Sequence, residues 1–490
     1  MVDERTVSLT YAIRGSVVLK YSSQLALILA VLSFAPLILA LIETDWLLVT
    51  RYLLLCVGLL MMGGLFARLP SPTYIQGNEA LAVTTLAFLL TSFLMAWPLM
   101  GSDVSFIDAL FEAISGVTTT GLSTLGSVEN RSHTFLFSRA WMQWYGGLGF
   151  IVLSVALLMG HQIAARRLSD PIDSGEMLMA TTRTHARRSL IIYLTLTLLG
   201  LIVIWLLIGD GFVALLQVLS AVSTGGFSNY DSSLAGLTNQ PAAVAVIVVS
   251  FLGAVSLPLY WQVAHAGWRN GLQLLLTNVE LRAFLIACLL AGSLLTLLGS
   301  LQGNNVSWYH GFMMGFSAQT TTGFSTLPVS EMDPSSKVVM IISMLVGGSV
   351  GSSAGGFKIL RLLILLRLLQ LMIRRTGMPP HAVAEPYLAG HKLETDDLLR
   401  AMQLFFLFIG AIVLSWIPFL FMGYDPLDAL FEVASACGTV GLSSGITRPD
   451  LEPFLKAVLS FDMLAGRLEI FAMLVVLSPG NWFGQRKEIQ

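Results

Sequence analysis

Charge is scarce in this 490-residue chain: Asp, Glu, Lys and Arg make up 11% of it, against roughly 25% in ordinary soluble domains. With 55% hydrophobic residues and a mean hydropathy of +0.78, that scarcity excludes a soluble globular protein. There is no surplus of positive charge either, and a formal net charge of −2 argues against nucleic acid as a partner. Cysteine is nearly missing. Cys56, Cys288 and Cys437 stand singly, which excludes a disulfide framework and a thiolate metal site. The histidines, at 133, 161, 185, 265, 310, 381 and 391, show no ligand spacing. No paired acids, nucleophile–base set or metal cluster falls on the apolar stretches, so an intramembrane enzyme is the least supported class and no organic cofactor is expected. After charged Asp3, Glu4 and Arg5, the first apolar run leads to a second one and not to a small-residue cleavage site. A retained helix is therefore expected, not a signal peptide.

What the chain does have is membrane-length apolar sequence. A span needs about 20 mostly apolar residues. Stretches near 20–42, 48–67, 80–100, 135–160, 189–208, 241–263, 281–301, 337–372, 400–423 and 453–478 qualify, predicting ten membrane helices. The 337–372 stretch is too long, and too glycine-rich in its middle, for one plain helix. Segments 105–117, 210–222, 307–319 and 425–437 are apolar but too short to span, and they read as re-entrant half-helices.

Each half-helix leads into a Gly-centred polar run. The runs are Thr118-Thr119-Thr120-Gly121, Ser223-Thr224-Gly225-Gly226, Thr320-Thr321-Thr322-Gly323 and Gly438-Thr439-Val440-Gly441. Their glycines are 105, 97 and 118 residues apart. Asp108-Ala109-Leu110-Phe111-Glu112 recurs as Asp428-Ala429-Leu430-Phe431-Glu432 in the same register. The expected fold is thus an all-α integral membrane protein. Four helix–pore-loop–helix repeats (79–188, 189–270, 271–398 and 399–490) surround a central pore, after an N-terminal two-helix extension (1–78).

Positive residues set the orientation. Arg166, Arg167, Arg183, Arg187 and Arg188 crowd one connection; Arg367, Arg374, Arg375, Lys392 and Arg400 crowd another, and Arg486 and Lys487 end the chain. With these inside, both termini are cytoplasmic and the four runs open outward. The outer side then holds Arg131, Arg139, Lys337, Arg448 and Lys456 beside Asp103, Asp231, Glu331, Asp333 and Asp450, a mildly cation-attracting mouth.

A bare monovalent cation in hydrocarbon bears a Born cost of about 20 kcal/mol. Backbone carbonyls can offset it without binding the ion too tightly, because they are neutral dipoles that converge on one axis. Glycine permits the positive φ and close approach such a lining requires, and irregular backbone at membrane depth is tolerated where it lines a cavity. No carboxylate lies inside any run, which disfavours a divalent-cation filter. One such run alone is equally a loop or a packing seam of small residues; four in series favour an ion filter.

These runs in their order, Trp144-Tyr145-Gly146-Gly147-Leu148-Gly149 after the first, and Gly466-Arg467-Leu468-Glu469 in the last span resemble the bacterial Trk/Ktr potassium-uptake family. The N-terminal pair resembles that of its TrkH-type membrane subunits. The likeness implies K+ as the transported substrate, a single-file pore within each subunit, a homodimer in the bacterial cytoplasmic (inner) membrane, and a TrkA-like cytosolic ring that binds nucleotides. Glycine at the first filter's key position, here Gly121, goes with potassium in that superfamily, whereas serine often goes with sodium. Filter four departs from the Thr-rich form at Gly438 and Val440.

Gate candidates lie below. Gly347-Gly348-Ser349-Val350-Gly351-Ser352-Ser353-Ala354-Gly355-Gly356-Phe357-Lys358 has poor helix propensity, each Gly costing about 1 kcal/mol against Ala. It reads as a mobile loop across the pore or as a kinked helix packed on a neighbour, and the resemblance, whose third repeat carries an intramembrane loop, favours the loop. Lys358 either pairs with an acid or ends the pore's inner side. Arg467, a charge within a span, is a barrier to cations dwelling below the filter, a salt-bridge partner of Glu469 or of an acid on another helix, or both. Glu112 and Glu432 are expected to anchor their half-helices, Asp108 and Asp428 to cap them, and His310 to be a hydrogen-bonded structural histidine. The function expected is a gated potassium-conducting subunit. The rivals are an H+- or Na+-coupled symporter, disfavoured because all repeats run in one sense and not inverted, and a sodium-conducting variant.

Overall fold

The computed structural model describes residues 12–66, 68–70, 75–102, 104–161, 178–302, 307–379 and 385–483. Asp3, Glu4, Arg5, Asp103, Arg166, Arg167, His381, Arg486 and Lys487, and with them much of the inner connection 161–188, lie outside the described residues.

The chain is helical almost throughout. Helices α1 (Gly15–Ile42) and α2 (Trp46–Phe66) pack on each other as the N-terminal pair, and α3 (Gly77–Leu99) follows. Then come the short α4 (Phe106–Val117), the long α5 (His133–His161) and α6 (Leu178–Ile208), and the short α7 (Gly211–Val222). Two helices, α8 (Gln240–Ala254) and α9 (Leu257–His265), meet at an 87° bend. After α10 (Trp268–Thr277) and α11 (Val279–Leu301) stands the short α12 (Trp308–Gln319). A broken pair, α13 (Pro334–Val346) and α14 (Ile359–Arg375), encloses the glycine-rich stretch. A hairpin of β1 (Tyr387–Leu388) and β2 (His391–Lys392) precedes α15 (Thr395–Phe421), the short α16 (Pro426–Cys437), α17 (Pro453–Arg467) and α18 (Phe471–Leu477).

Six of the described helices are long and apolar enough to cross a membrane, seven with the bent pair. Their sides carry bare apolar residues such as Leu206, 78% exposed, and Phe421, 87% exposed. In water such surface costs about 25 cal/mol per Å²; against lipid tails it does not, and that solvent is what these helices are shaped for.

The four short helices are twelve residues each, starting within one residue of the expected half-helices, and their final turns are buried except for the partly exposed Phe316. Their starts are capped by Ser105, Asp210, Ser307 and Asp425, whose side chains accept first-turn backbone N–H groups. Asp108 and Asp428 are therefore not the caps. They sit three residues inside and receive ammonium groups from other repeats: Lys456 Nζ stands 2.6 Å from Asp108 Oδ1, and Lys337 Nζ 2.6 Å from Asp428 Oδ1. Lys337, Lys456 and Arg139 are likewise not outer-surface charges, because all three are buried. Of the outer acids, Asp333 caps α13 and Asp231 accepts the Val128 N–H and the Ser127 hydroxyl.

Two spans break where a continuous helix was expected. The 241–263 run stops at Val255–Ser256, because in a continuous helix Pro258 would offer no N–H to Ala254 O and its ring would clash with that carbonyl. The 453–478 run stops after Arg467, with Glu469 and Ile470 both at positive φ (59° and 57°) and Glu469 Oε1 2.7 Å from Arg361.

Lys456→Met should lower stability by about 3 kcal/mol, the cost of stranding a largely buried partner charge. Asp108→Asn in the same chain should restore part of it. Thermal unfolding in detergent, read as a double-mutant cycle, checks this; equal melting temperatures for Lys456→Met and wild type would refute it.

Candidate ion-conduction site

All four hairpins are built alike. Each half-helix ends in a Schellman closure, with the N–H two residues past the cap bonded back to a serine carbonyl: Thr120 to Ser115, Gly225 to Ser220, Thr322 to Ser317 and Val440 to Ser435, at 2.8–3.0 Å. The left-handed residue of such a closure is usually glycine. Here it is Thr119, Thr224, Thr321 and Thr439, at φ 56°, 52°, 55° and 49°. A β-branched residue there is an outlier, and its recurrence four times marks strain held for a purpose. The filter glycines follow two residues on, also at positive φ: 95° at Gly121, 75° at Gly226, 85° at Gly323 and 95° at Gly441.

The hairpins meet in a closed circuit. A Cβ on Gly121 would strike the carbonyl oxygen of Gly225, one on Gly226 that of Thr322, one on Gly323 that of Val440, and one on Gly441 that of Thr120. Each glycine thus lies against the carbonyl of the next hairpin, and the fourth returns to the first. The structure brings together all the filter residues named from sequence. The Val440 departure does not interrupt the circuit, because its carbonyl, not its side chain, makes the contact.

Outside the ring, position nine before each glycine ties its half-helix to the chain leaving the filter. Glu112 accepts the Ser123 hydroxyl (2.5 Å) and Thr124 N–H (3.1 Å), and Glu432 accepts the Ser443 and Thr447 hydroxyls (2.6 and 2.7 Å). Gln217 donates to Asn229 (2.8 Å), and Met314 sulfur accepts the Thr326 N–H (3.3 Å). Glu112 also takes Arg139 Nε at 2.9 Å, whose guanidinium lies 3.9 Å over the Phe227 ring of the second hairpin. His310 Nδ1 meets Thr326 Oγ1 at 3.0 Å, the structural role expected of it.

The glycine-rich stretch packs directly against the four-hairpin ring. Gly355 N–H donates to Thr321 Oγ1 at 2.7 Å, and a Cβ on Gly355 would strike Gly438 O and Thr439 Oγ1. Ser353 Oγ donates to Val222 O and Gly253 O, both at 2.9 Å, and Gln319 Nε2 to Gly347 O at 2.8 Å. The stretch therefore touches the inner ends of half-helices two, three and four. Gly347, Gly351 and Gly356 have φ of 71°, 74° and 74°, so a continuous kinked helix is ruled out. Ser349 and Gly348 bond to Ala254 and Ile359 through backbone. Lys358 Nζ donates to Ala354 O within the loop. Arg467, 1% exposed, donates NH1 to Ser353 O at 2.7 Å; Glu469, the salt-bridge partner considered for it, is paired with Arg361 instead.

Other residues of the site were not singled out from sequence. Ser115, Ser220, Ser317 and Ser435 each stand six residues before a filter glycine, a repeat that alignment of the four runs would have found. Ser115 and Ser435 hydroxyls accept the N–H of Gly121 and Gly441 at 3.0 Å, whereas those of Ser220 and Ser317 are buried without a hydrogen-bond partner. Thr119 Oγ1 and Thr439 Oγ1 are buried and unpartnered too. Gln143 gives its amide N–H to Gly225 O and accepts Phe227 N–H at 3.1 Å; nothing in sequence marks it. Gly146 and Gly466 of the family-like motifs, and Gly253, have packing roles: they let later helices press on the last carbonyls of half-helices one, four and two, at Val117, Cys437 and Val222.

Comparison with known proteins agrees with this architecture. An uncharacterised cation transporter of Methanocaldococcus jannaschii is 28% identical over 423 residues, covering 85% of this chain and 86% of its own. The Trk system potassium uptake protein TrkH of Escherichia coli is 27% identical over 433 residues (83% and 86%), and TrkI of Halomonas elongata 28% over 502 (98% and 100%). The crystal structure of the potassium transporter TrkH from Vibrio parahaemolyticus superposes with a TM-score of 0.84 at 25% identity, covering 95% of this chain and 99% of that one. The TrkH family, described as cation transport proteins, matches residues 66–482, and the chain belongs to that family.

Proposed function

We propose that this chain is the potassium-conducting subunit of a Trk-type uptake system, passing K+ inward through the four-hairpin ring and past the 347–358 loop. The single observation that carries the reading is the closed circuit of glycine-on-carbonyl contacts from hairpin to hairpin. Four peptide chains that approach so closely set carbonyl oxygens around one axis, where they replace water around a bare cation. The unpartnered Thr119 and Thr439 hydroxyls sit at the base of that ring. A buried hydroxyl without a partner costs about 1–3 kcal/mol, a deficit that a passing ion or its remaining water removes. The half-helices point their C-terminal, partially negative ends at the same place.

In this reading the repeats are 79–188, 189–270, 271–398 and 399–490, the filters face outward, and both termini lie in the cytoplasm of a bacterium. Ser353 and Gly355 hold the loop closed, and Arg467 fastens it through Ser353 O while placing positive charge where cations would dwell, the barrier reading and not the Glu469 salt bridge. Names of the relatives support potassium, Gly121 fits it, and a homodimer with a TrkA-like nucleotide-binding ring remains the expected assembly. No chemical step is required.

The deciding experiment reconstitutes the purified chain and measures reversal potential in opposed potassium and sodium gradients. A potential following potassium supports the proposal, and one following sodium makes the pore a sodium variant. Gly121→Ser should reduce discrimination about tenfold, because a Cβ cannot fit against Gly225 O without shifting the ring; unchanged relative flux would remove Gly121 from the filter. Deleting 348–354 should raise leak conductance in liposomes, and a silent deletion would reject the gate. Arg467→Ala loses a charged hydrogen bond of about 1.5–3 kcal/mol, so open probability should rise at least about tenfold. Loss of folded protein in that variant would assign Arg467 a structural role alone.

A further inference from the structure

Helix α10, between the bent span and α11, has one face with none of the described residues packed on it. Trp268, Leu272 and Leu276 lie at helical spacing on one side and are 85%, 48% and 64% exposed. Arg269, Gln273 and Thr277 occupy the other side and are exposed as well. A ten-residue helix cannot span, and an apolar stripe beside a basic polar face is the pattern of a helix lying in a membrane interface. Positive charge gathers around it. Arg282, exposed, donates to Thr277 O at 3.2 Å, and Arg188 lies 5.2 Å over the Trp261 ring, on which His265 stacks at 4.2 Å. From residue 257 to 282 the sequence has one acid, Glu280, and its Oε1 accepts the Val350 N–H at 2.7 Å.

That last contact gives the helix a consequence. Both elements flanking α10 hold the same point of the loop. On the α9 side, Leu257 N–H donates to Gly351 O at 3.2 Å. On the α11 side, Glu280 accepts from the adjacent Val350. Any shift of α10 relative to the spans is therefore passed to residues 350–351 from two directions.

We propose that α10 is an interfacial anchor that binds anionic phospholipid headgroups through Arg269 and Arg282, and that its seating in the membrane surface biases the 347–358 loop. The inference rests on the loop's role as gate for its second half only. Net positive charge next to a bare apolar stripe fits an anionic bilayer surface better than a soluble protein, whose docking would leave Trp268 facing lipid or water at the rim.

The test compares the full chain in vesicles of phosphatidylcholine alone and in vesicles containing phosphatidylglycerol. Amide hydrogen exchange of 268–277 and of 348–352 is read beside ion flux. The expected result is slower exchange of 268–277 with phosphatidylglycerol, a matching change at 348–352, and an altered flux. Arg269→Gln should weaken the lipid dependence about fivefold, as befits one basic residue at a charged surface, while Arg374→Gln, on α14, leaves it intact. Equal exchange of 268–277 in both vesicles overturns the proposal, as does protection that appears only on adding a soluble protein partner. A lipid response at 268–277 with no change at 348–352 overturns the coupling. Because exchange is read without conduction, a chain that failed to conduct potassium would still decide it.

Discussion

The close approach of four glycines to four carbonyls is the constraint on which the rest of the structure depends. It leaves no room for a Cβ, so Gly121, Gly226, Gly323 and Gly441 are required by space as well as by positive φ. It also explains why the preceding threonines tolerate left-handed backbone. Turning out of a buried half-helix into the ring within two residues demands that geometry, and the hairpin has little freedom to relax. The clamps at Glu112, Gln217, Met314 and Glu432 then hold the departing chain to the half-helix, using a carboxylate, an amide or a sulfur at one shared position. Chemistry varies while placement does not.

The ring is built by neighbours, not by single repeats. Lys456 of the last repeat reaches Asp108 of the first, Lys337 of the third reaches Asp428 of the fourth, and Arg139 of the first covers Phe227 of the second. These charges are shielded from water, so each is stable only with its partner in place. A chain of such dependences ties the four hairpins into one cooperative body.

Much of this was legible in sequence because membrane physics leaves few options. Half-helices of twelve residues and glycine-centred turns leave clear marks and stand within a residue of their expected places, whereas the long spans are marked by composition but not by their ends, as where the 189–208 span begins at Leu178. What escaped depends on partners far along the chain. Asp108 and Asp428 looked like caps, yet serine and aspartate three residues earlier cap better because their side chains reach the first free N–H groups. Arg139, Lys337 and Lys456 counted as surface charges since burial is invisible without their acids. Pro258 did signal the break in the 241–263 run and was passed over because the run stayed apolar across it. Nothing local marks the break at Glu469 and Ile470, which belongs to the reach of Glu469 for Arg361.

Repeat three shows how a symmetric filter acquires an asymmetric floor. After half-helices one, two and four, Gly146, Gly253 and Gly466 press on a half-helix end; α5 runs on past that point, whereas α8 and α17 end one residue beyond their glycine. In repeat three the helix stops at Gly347 and the chain turns under its neighbours instead. Its hydrogen bonds there through the Ser353 hydroxyl, Gly355 and Gln319 are neutral, each worth about 0.5–1.5 kcal/mol net, and Arg467 adds a charged one at Ser353 O. The filter above is held by close packing and buried ion pairs. The two layers therefore differ in what holds them, hydrogen bonds in one and packed backbone with buried ion pairs in the other.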